Sequence, residues 1–181
     1  MYGITGMPLA GKTLVANIMK EKGYRILDMG DVVRKEMEKR NISMERTGEF
    51  VNSQREERGM DAIAQLSIPY LRKRLEETDK IVITGMRGWS EKKKFEEEVE
   101  NDLEMVAIWA SRETRRERRN RRQREEDVRG QSFQERDMRE IDNGIAKLMA
   151  LSDRIIINDG ISIDRLRVKV FDLLEGDKPG L

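Results

Sequence analysis

Gly6-Met7-Pro8-Leu9-Ala10-Gly11-Lys12-Thr13 fits the pattern G-x-x-x-x-G-K-[ST], and its setting decides the fold. Residues 1–5 before it read as a short strand, and residues 12–22 after it read as a helix. Glycines at both ends let the backbone turn tightly, so several N–H groups converge on one anion. The start of the helix adds its partial positive charge. This is the chemistry of a phosphate-binding loop. Lys12 reaches the terminal phosphates of a nucleotide, and the Thr13 hydroxyl holds Mg²⁺.

Outward from the loop, strands and helices alternate, which predicts a parallel sheet covered by helices. Strands are expected at residues 1–5, 24–28, 80–84, 105–110 and 154–158. Ile81-Val82-Ile83 and Ile155-Ile156-Ile157 are apolar β-branched runs, suited to strands buried on both faces. Helices are expected at 12–22, 31–40, 49–57, 61–76, 90–99, 112–124, 133–151 and 162–174. The fold class is therefore α/β: three layers, with a five-stranded parallel sheet and helices on both faces. Two long helical insertions, 31–79 and 112–151, follow strand C-terminal ends. Open α/β sheets bind ligands there, so both insertions are expected to close over the phosphate site.

The 181 residues suit one domain, 1–181. Charged residues make up 39%, with 36 basic against 35 acidic side chains. That balance gives no electrostatic drive toward nucleic acid or membrane. Cysteine and histidine are absent. Disulfides, cysteine-bound zinc and a Ser-His or Cys-His hydrolase are thereby excluded. No apolar run approaches a membrane span. Met1 stands at the first strand, leaving no room for a signal peptide, so a cytoplasmic location is expected. Nothing in the sequence sets an oligomeric state.

Three further clusters carry charge to strand ends. Asp28-Met29-Gly30-Asp31-Val32-Val33-Arg34 follows the second strand. Asp31 reads either as a helix N-cap or as a carboxylate near Mg²⁺ or the acceptor, with Arg34 one turn on to grip a phosphate. Thr84-Gly85-Met86-Arg87 follows the third strand, where a glycine permits close approach of a ligand and Arg87 projects from the sheet edge. Residues 112–129 hold nine arginines, of which Arg115, Arg118 and Arg122 share one helical face, as Arg136 and Arg139 do further on. Most read as solvated and paired with glutamates, and two or three as closing on a triphosphate. Trp109 reads as core, Trp89 as packed or lining an acceptor pocket, and Met105 and Met149 as core filler.

Together these motifs resemble the P-loop nucleoside monophosphate kinases, most closely the archaeal adenylate kinase-related proteins, with similarity to dephospho-CoA kinases as well. The resemblance spans nearly the whole chain. It implies a core of about 1–30, 80–111 and 152–181, an acceptor-binding flap of about 31–79 and a lid of about 112–151. It implies ATP and Mg²⁺ as cofactors and an AMP-like acceptor. Residues from Gly6, Met7, Pro8, Leu9, Ala10 and Gly11 to Lys12 and Thr13, with Arg118 and Asn158, would bind ATP, Thr13 holding the metal. Asp31, Arg34, Arg55, Gly85 and Arg87 would bind the acceptor. Lys12, Asp31, Arg87, Arg118, Arg136 and Arg139 would carry the transfer, with Arg122 beside Arg118 at the lid.

Two positions depart from the family pattern. Leu9 stands where glycine is usual. Thr84 replaces the aspartate that helps organise Mg²⁺, leaving Asp31 or Asp28 as the substitute. The expected activity is transfer of the ATP γ-phosphoryl group to a nucleoside monophosphate. The alternatives are a dephospho-CoA kinase-like enzyme, a nucleotide-binding regulator with weak or no kinase activity, and a nucleic-acid-dependent ATPase, against which the balanced charge argues.

Overall fold

Short apolar runs without polar alternation build the sheet. Ile81–Thr84 is buried at every position, as a strand covered on both faces requires. The computed structural model describes residues 1–99, 103–122 and 132–176. Five strands, β1 (Tyr2–Thr5), β2 (Arg25–Asp28), β3 (Ile81–Thr84), β4 (Glu104–Trp109) and β5 (Arg154–Ile157), pair in the order β2-β3-β1-β4-β5. Every pairing is parallel. Thr84 stands beside Ile4 on one side and Asp28 on the other, so the ends of β2 and β3 flank the exit of β1.

The connecting helices are α1 (Lys12–Glu21), α2 (Met29–Lys39), α3 (Thr47–Arg58), α4 (Ala62–Leu75), α5 (Trp89–Glu98), α6 (Arg112–Arg122), α7 (Phe133–Asp142), α8 (Ile145–Ala150) and α9 (Ile163–Glu175). A 3₁₀ turn, Met44–Arg46, precedes α3. Two apolar cores separate the layers. Ile4, Val82, Val106, Ile108 and Ile156 pack with Val15, Ile18 and Met19 of α1 and Leu166 and Val170 of α9. Leu27, Ile81, Ile83 and Met105 pack on the opposite face with residues of α2, α4, α5 and α8. The three-layer parallel α/β class expected from the sequence is the fold found.

The structure corrects five details. β5, read from Ile155-Ile156-Ile157 as buried on both faces, is an edge strand with Ile155 and Ile157 exposed and only Ile156 buried. The helix expected over 133–151 is two, because Gly144 turns the chain at φ 100° and separates α7 from α8. The N-cap of α2 is Asp28, whose side chain accepts the Asp31 N–H at 2.9 Å, and Asp31 lies inside the first turn. Trp109 is 43% exposed rather than core: it ends β4, whereas α8 packs on β1 and the Met105 part of β4. Met149, expected as core filler, is half-buried and lines a surface groove. Met105 is fully buried, as read. Arg122 ends α6, while Arg124 and Arg129 lie outside the described residues.

Candidate phosphoryl-transfer site

Backbone shape comes first. Gly6 has φ 141° and Gly11 φ 105°, both in the left-handed half of the map. A Cβ on Gly6 would run into the Ile108 carbonyl oxygen, and one on Gly11 into the Asn158 side-chain amide. Only glycine fits at either end of the loop. Leu9 adopts φ 67°, which explains why glycine is usual there: the side chain pays for a conformation glycine takes freely. The loop nonetheless closes. Ala10 N donates to Met7 O at 3.1 Å.

Side chains from the far half of the chain brace it from outside. Arg115 Nη1 donates to Pro8 O at 3.3 Å, and Arg118 Nη1 donates to Leu9 O and Ala10 O at 3.1 Å each. Asn158 Nδ2 donates to Ala10 O at 2.8 Å, and Arg118 Nη2 to Asn158 O at 2.8 Å. Because each trans peptide sets its C=O and N–H on opposite sides, these bonds direct the N–H groups of Leu9 and Gly11 the other way. Thr13 is exposed at the first turn of α1.

Lys12 folds over the loop, its Nζ donating to Gly6 O at 2.6 Å and Met7 O at 3.0 Å. Burial lowers its pKa to about 8; Glu140 opposes the shift, and Arg87, Arg136 and Arg115 deepen it. Those four residues therefore share the electrostatic environment of Lys12, and they come from the end of β3, from α6 and from α7. Glu140, 4% exposed, is the hub, with its Oε1 3.1 Å from Arg87 Nη1 and 3.6 Å from Arg139 Nη2. Asp137 holds Arg115 by two parallel bonds of 2.6 and 2.8 Å, both residues under 10% exposed.

On the β2–β3 side, Asp28 Oδ2 accepts the Thr84 hydroxyl at 2.7 Å, while Arg34 pairs with Asp31 and lies 3.8 Å from Asp28. Gly85, at φ 95°, passes so close to α2 that a Cβ would press on Met29. Arg55 is placed differently from Arg34 and Arg87. Its Nη1 donates to Asn143 Oδ1 at 2.8 Å and its Nη2 lies 3.8 Å from Glu91 Oε1. Glu91 Oε2 in turn accepts the backbone N–H of Arg87 at 2.7 Å and of Gly88 at 3.2 Å. Burial raises the Glu91 pKa, against those bonds and Arg55. No group of three or more carboxylates among the described residues is placed to hold a metal by itself. A magnesium site here would draw on Thr13, water and nucleotide phosphate.

Beside the loop a cleft of about 240 Å³ is lined by Gly11, Leu14, Arg118, Asn158, Ile161 and Ile163, among others. The structure thus groups Lys12, Arg87, Arg118, Arg136, Arg139 and Asn158 around the loop, with Asp31, Arg34 and Gly85 at its β2–β3 flank. Sequence reading passed over the carboxylates Glu91, Asp137 and Glu140. One signal was present: Glu91 stands three residues after Gly88, the spacing from which a glutamate reaches back to a helix N-cap, and its Oε2 accepts the Gly88 N–H, although glycine has no side chain to complete a capping box.

No helix among the described residues is long and apolar enough to cross a membrane. Residues 5–158 match the family model described as AAA domain. A UPF0200 protein of Pyrococcus furiosus is 37% identical over 175 residues, 94% of either chain. A UPF0200/UPF0201 protein of Archaeoglobus fulgidus is 37% identical over 163 residues, 88% of this chain and 50% of that protein, so this chain spans only half of that relative. TT1252 from Thermus thermophilus has the same fold, with TM-score 0.67 at 16% identity over 99% of this chain and 97% of that one. Shikimate kinase from Bacteroides thetaiotaomicron follows at TM-score 0.61 and 18% identity, over 96% and 97% of the two chains. The fold is that of the P-loop kinases, and by its sequence the chain belongs to the AAA-domain family of that model and to the UPF0200 proteins.

Proposed function

We propose that the protein is an ATP-dependent kinase that transfers the γ-phosphoryl group to a small acceptor, with a nucleoside monophosphate such as AMP as the first candidate. The observation that carries this reading is the convergence on Lys12. Arginines from the segment after β3, from α6 and from α7 act on its ammonium, beside a loop whose two ends admit only glycine. Such an array stabilises charge that moves between two phosphates, and phosphoryl transfer needs little else from a protein. It suits a chain without histidine.

In this reading the loop N–H groups and Lys12 hold the β- and γ-phosphates. Mg²⁺, with Thr13 as its protein ligand, would neutralise phosphate charge. Arg118 and Asn158 form the wall of the cleft that takes adenine, beside Ile161 and Ile163. Arg87, Arg136 and Arg139 surround the transferred group. Asp31, Arg34 and Gly85 face the acceptor, and Arg55 acts on the same side through Glu91 and the backbone of Arg87. Residues 31–79 would serve as acceptor flap and 112–151 as lid, and their closure would exclude water.

A second reading, a dephospho-CoA kinase-like activity, has one observation in its favour. A hydroxyl acceptor gives up a proton, whereas a phosphate acceptor has none to lose. Asp28, held by Thr84 and the Asp31 N–H at the end of β2, is a carboxylate placed to take it. Mass spectrometry of acceptor mixtures incubated with ATP and Mg²⁺ separates the readings: phosphorylated AMP supports the first, phosphorylated dephospho-CoA the second. Lys12→Ala is expected to abolish either product. Near-wild-type turnover in that variant refutes the kinase assignment. Tight ATP binding with no product from any acceptor favours a regulatory role.

A further inference from the structure

The edge of the sheet at β5 carries apolar side chains that no described residue covers. Ile155 is 61% exposed and Ile157 51%. Trp109 stands opposite Ile157 in the β4–β5 register, so these three side chains share the sheet face that α8 covers further in, over Met105. Met138 and Ile141, also exposed, line a groove of about 540 Å³ with Met149 on that side. Together the exposed apolar side chains amount to roughly 500 Å², at the upper end for a monomer's largest patch. Among the described residues β5 has a strand partner on one side only, and its sequence holds no proline to guard the open edge.

What covers this edge follows from the chain itself. Of the segments outside the described residues, 100–102 is entirely polar, 123–131 is Gln-Arg-Glu-Glu-Asp-Val-Arg-Gly-Gln, and 177–181 is Asp-Lys-Pro-Gly-Leu, so none brings more than one large apolar side chain to it. The same strand of a second copy does. An antiparallel pair centred on Ile156 sets Ile155 opposite Ile157 of the other copy, and Ile157 opposite its Ile155. Directly opposed residues in such a pair lie on one face, so four exposed isoleucines meet. Arg154, already paired with Glu104 at 2.6 Å, faces an asparagine rather than another cation. With a net charge of +1, two copies repel each other little.

We propose that this chain forms a twofold dimer through antiparallel pairing of β5 with β5, joining the two sheets into one continuous sheet. Backbone pairing plus the apolar patch brings the buried surface toward the ~800 Å² per partner of a stable interface. The interface ends at Asn158, which bounds the nucleotide cleft, so each copy buttresses the cleft of the other.

Sedimentation velocity at micromolar concentration is expected to give about 42 kDa, twice the 21.2 kDa of one chain. Ile155→Lys with Ile157→Lys, both on exposed side chains, is expected to halve the mass with the melting temperature retained. The chain has no cysteine, so Ile155→Cys with Ile157→Cys reports the register directly. Opposed antiparallel residues have Cα atoms ~4.5–5.5 Å apart, within disulfide reach. A covalent dimer on a non-reducing gel is the expected result. A wild-type monomer at 100 µM, a dimer that survives the lysine pair, or no cross-link in a dimeric cysteine variant each overturns the proposal.

Discussion

Nucleotide binding should take up a proton at Lys12, and the pH window follows from the structure. Lys12 sits at about 8 against an ordinary 10.5, chiefly because it is buried. A polyphosphate placed against the ammonium restores the charged form. If binding returns the group to its ordinary value, uptake is about half a proton per nucleotide at pH 8 and about 0.9 at pH 9. Nucleotide phosphates are already ionised there and do not mask it. Affinity then falls about tenfold per unit between pH 8 and 10.5, which amounts to about 3 kcal/mol in all. The sign for stability is opposite. Without nucleotide, the unfolded chain binds this proton across the same window and the folded chain does not. Stability relative to Lys12→Met should therefore rise with pH from about 8 to 10.5 by up to about 3 kcal/mol. Titration calorimetry of ADP at pH 9, in buffers of different ionisation enthalpy, gives the uptake from the slope. Uptake below about 0.2 in the wild type, or the same value in Lys12→Met, would refute the reasoning.

Glu140→Gln should move the proton-uptake window to lower pH, since Glu140 is the group that opposes the depression of Lys12; an unchanged window in the same calorimetry would place Glu140 outside the field of Lys12. Asp137→Ala should cost about 3–5 kcal/mol, because it strands the buried Arg115, while Arg115→Met with Asp137→Leu should come close to neutral in denaturant melts. Gly11→Ala should reduce ADP affinity at least ~100-fold by driving Asn158 and the loop apart, with the secondary structure unchanged by circular dichroism. Leu9→Gly should shift the melting temperature by no more than about 3 °C, since relief of the left-handed strain roughly offsets the added freedom of the unfolded chain.

The parts of this molecule legible in the sequence are those whose cause is local. Loop glycines, the β-branched run of β3 and the strand-loop-helix order each follow from a few adjacent residues; the run of β5 shows a strand too, but not that it stands at the sheet edge with one face open. Gly144 was also legible: Asn143-Gly144 is a turn signal inside an apparently continuous helical stretch, and helical composition on both sides obscured it. The exposure of Trp109 was not legible. An aromatic residue at the end of an apolar strand looks like core, and where α8 crosses the sheet, over β1 and the Met105 part of β4, is set by tertiary packing that no local pattern carries. The carboxylates were in view, since Asp137 and Glu140 lie among the arginines read as lid residues. Their roles depend on pairings such as Arg87 with Glu140 and Arg55 with Glu91, made across distant parts of the chain, which no local spacing encodes.

Those pairings solve a problem that the arginines create. A site built to hold a triphosphate and an acceptor must concentrate cations, and cations crowded at low dielectric repel each other and lose hydration. Four of the arginines read as gripping the acceptor or the moving group have a carboxylate beside them: Arg34 has Asp31, Arg55 has Glu91, and Arg87 and Arg139 share Glu140. Three of these carboxylate–arginine contacts are longer than an ideal charge-assisted hydrogen bond, at 3.1, 3.6 and 3.8 Å. They balance charge without committing the guanidinium geometry, so a phosphate can take their place with little bonding to undo. Arg115 differs. Its two short bonds to Asp137 fix the plane of the guanidinium, and that plane braces the Pro8 carbonyl. Arg115, tightly held, thus builds the loop, while Arg55, Arg87 and Arg139, loosely held, remain available for exchange; Arg34, closely hydrogen-bonded to Asp31, must give up that bond to take a phosphate.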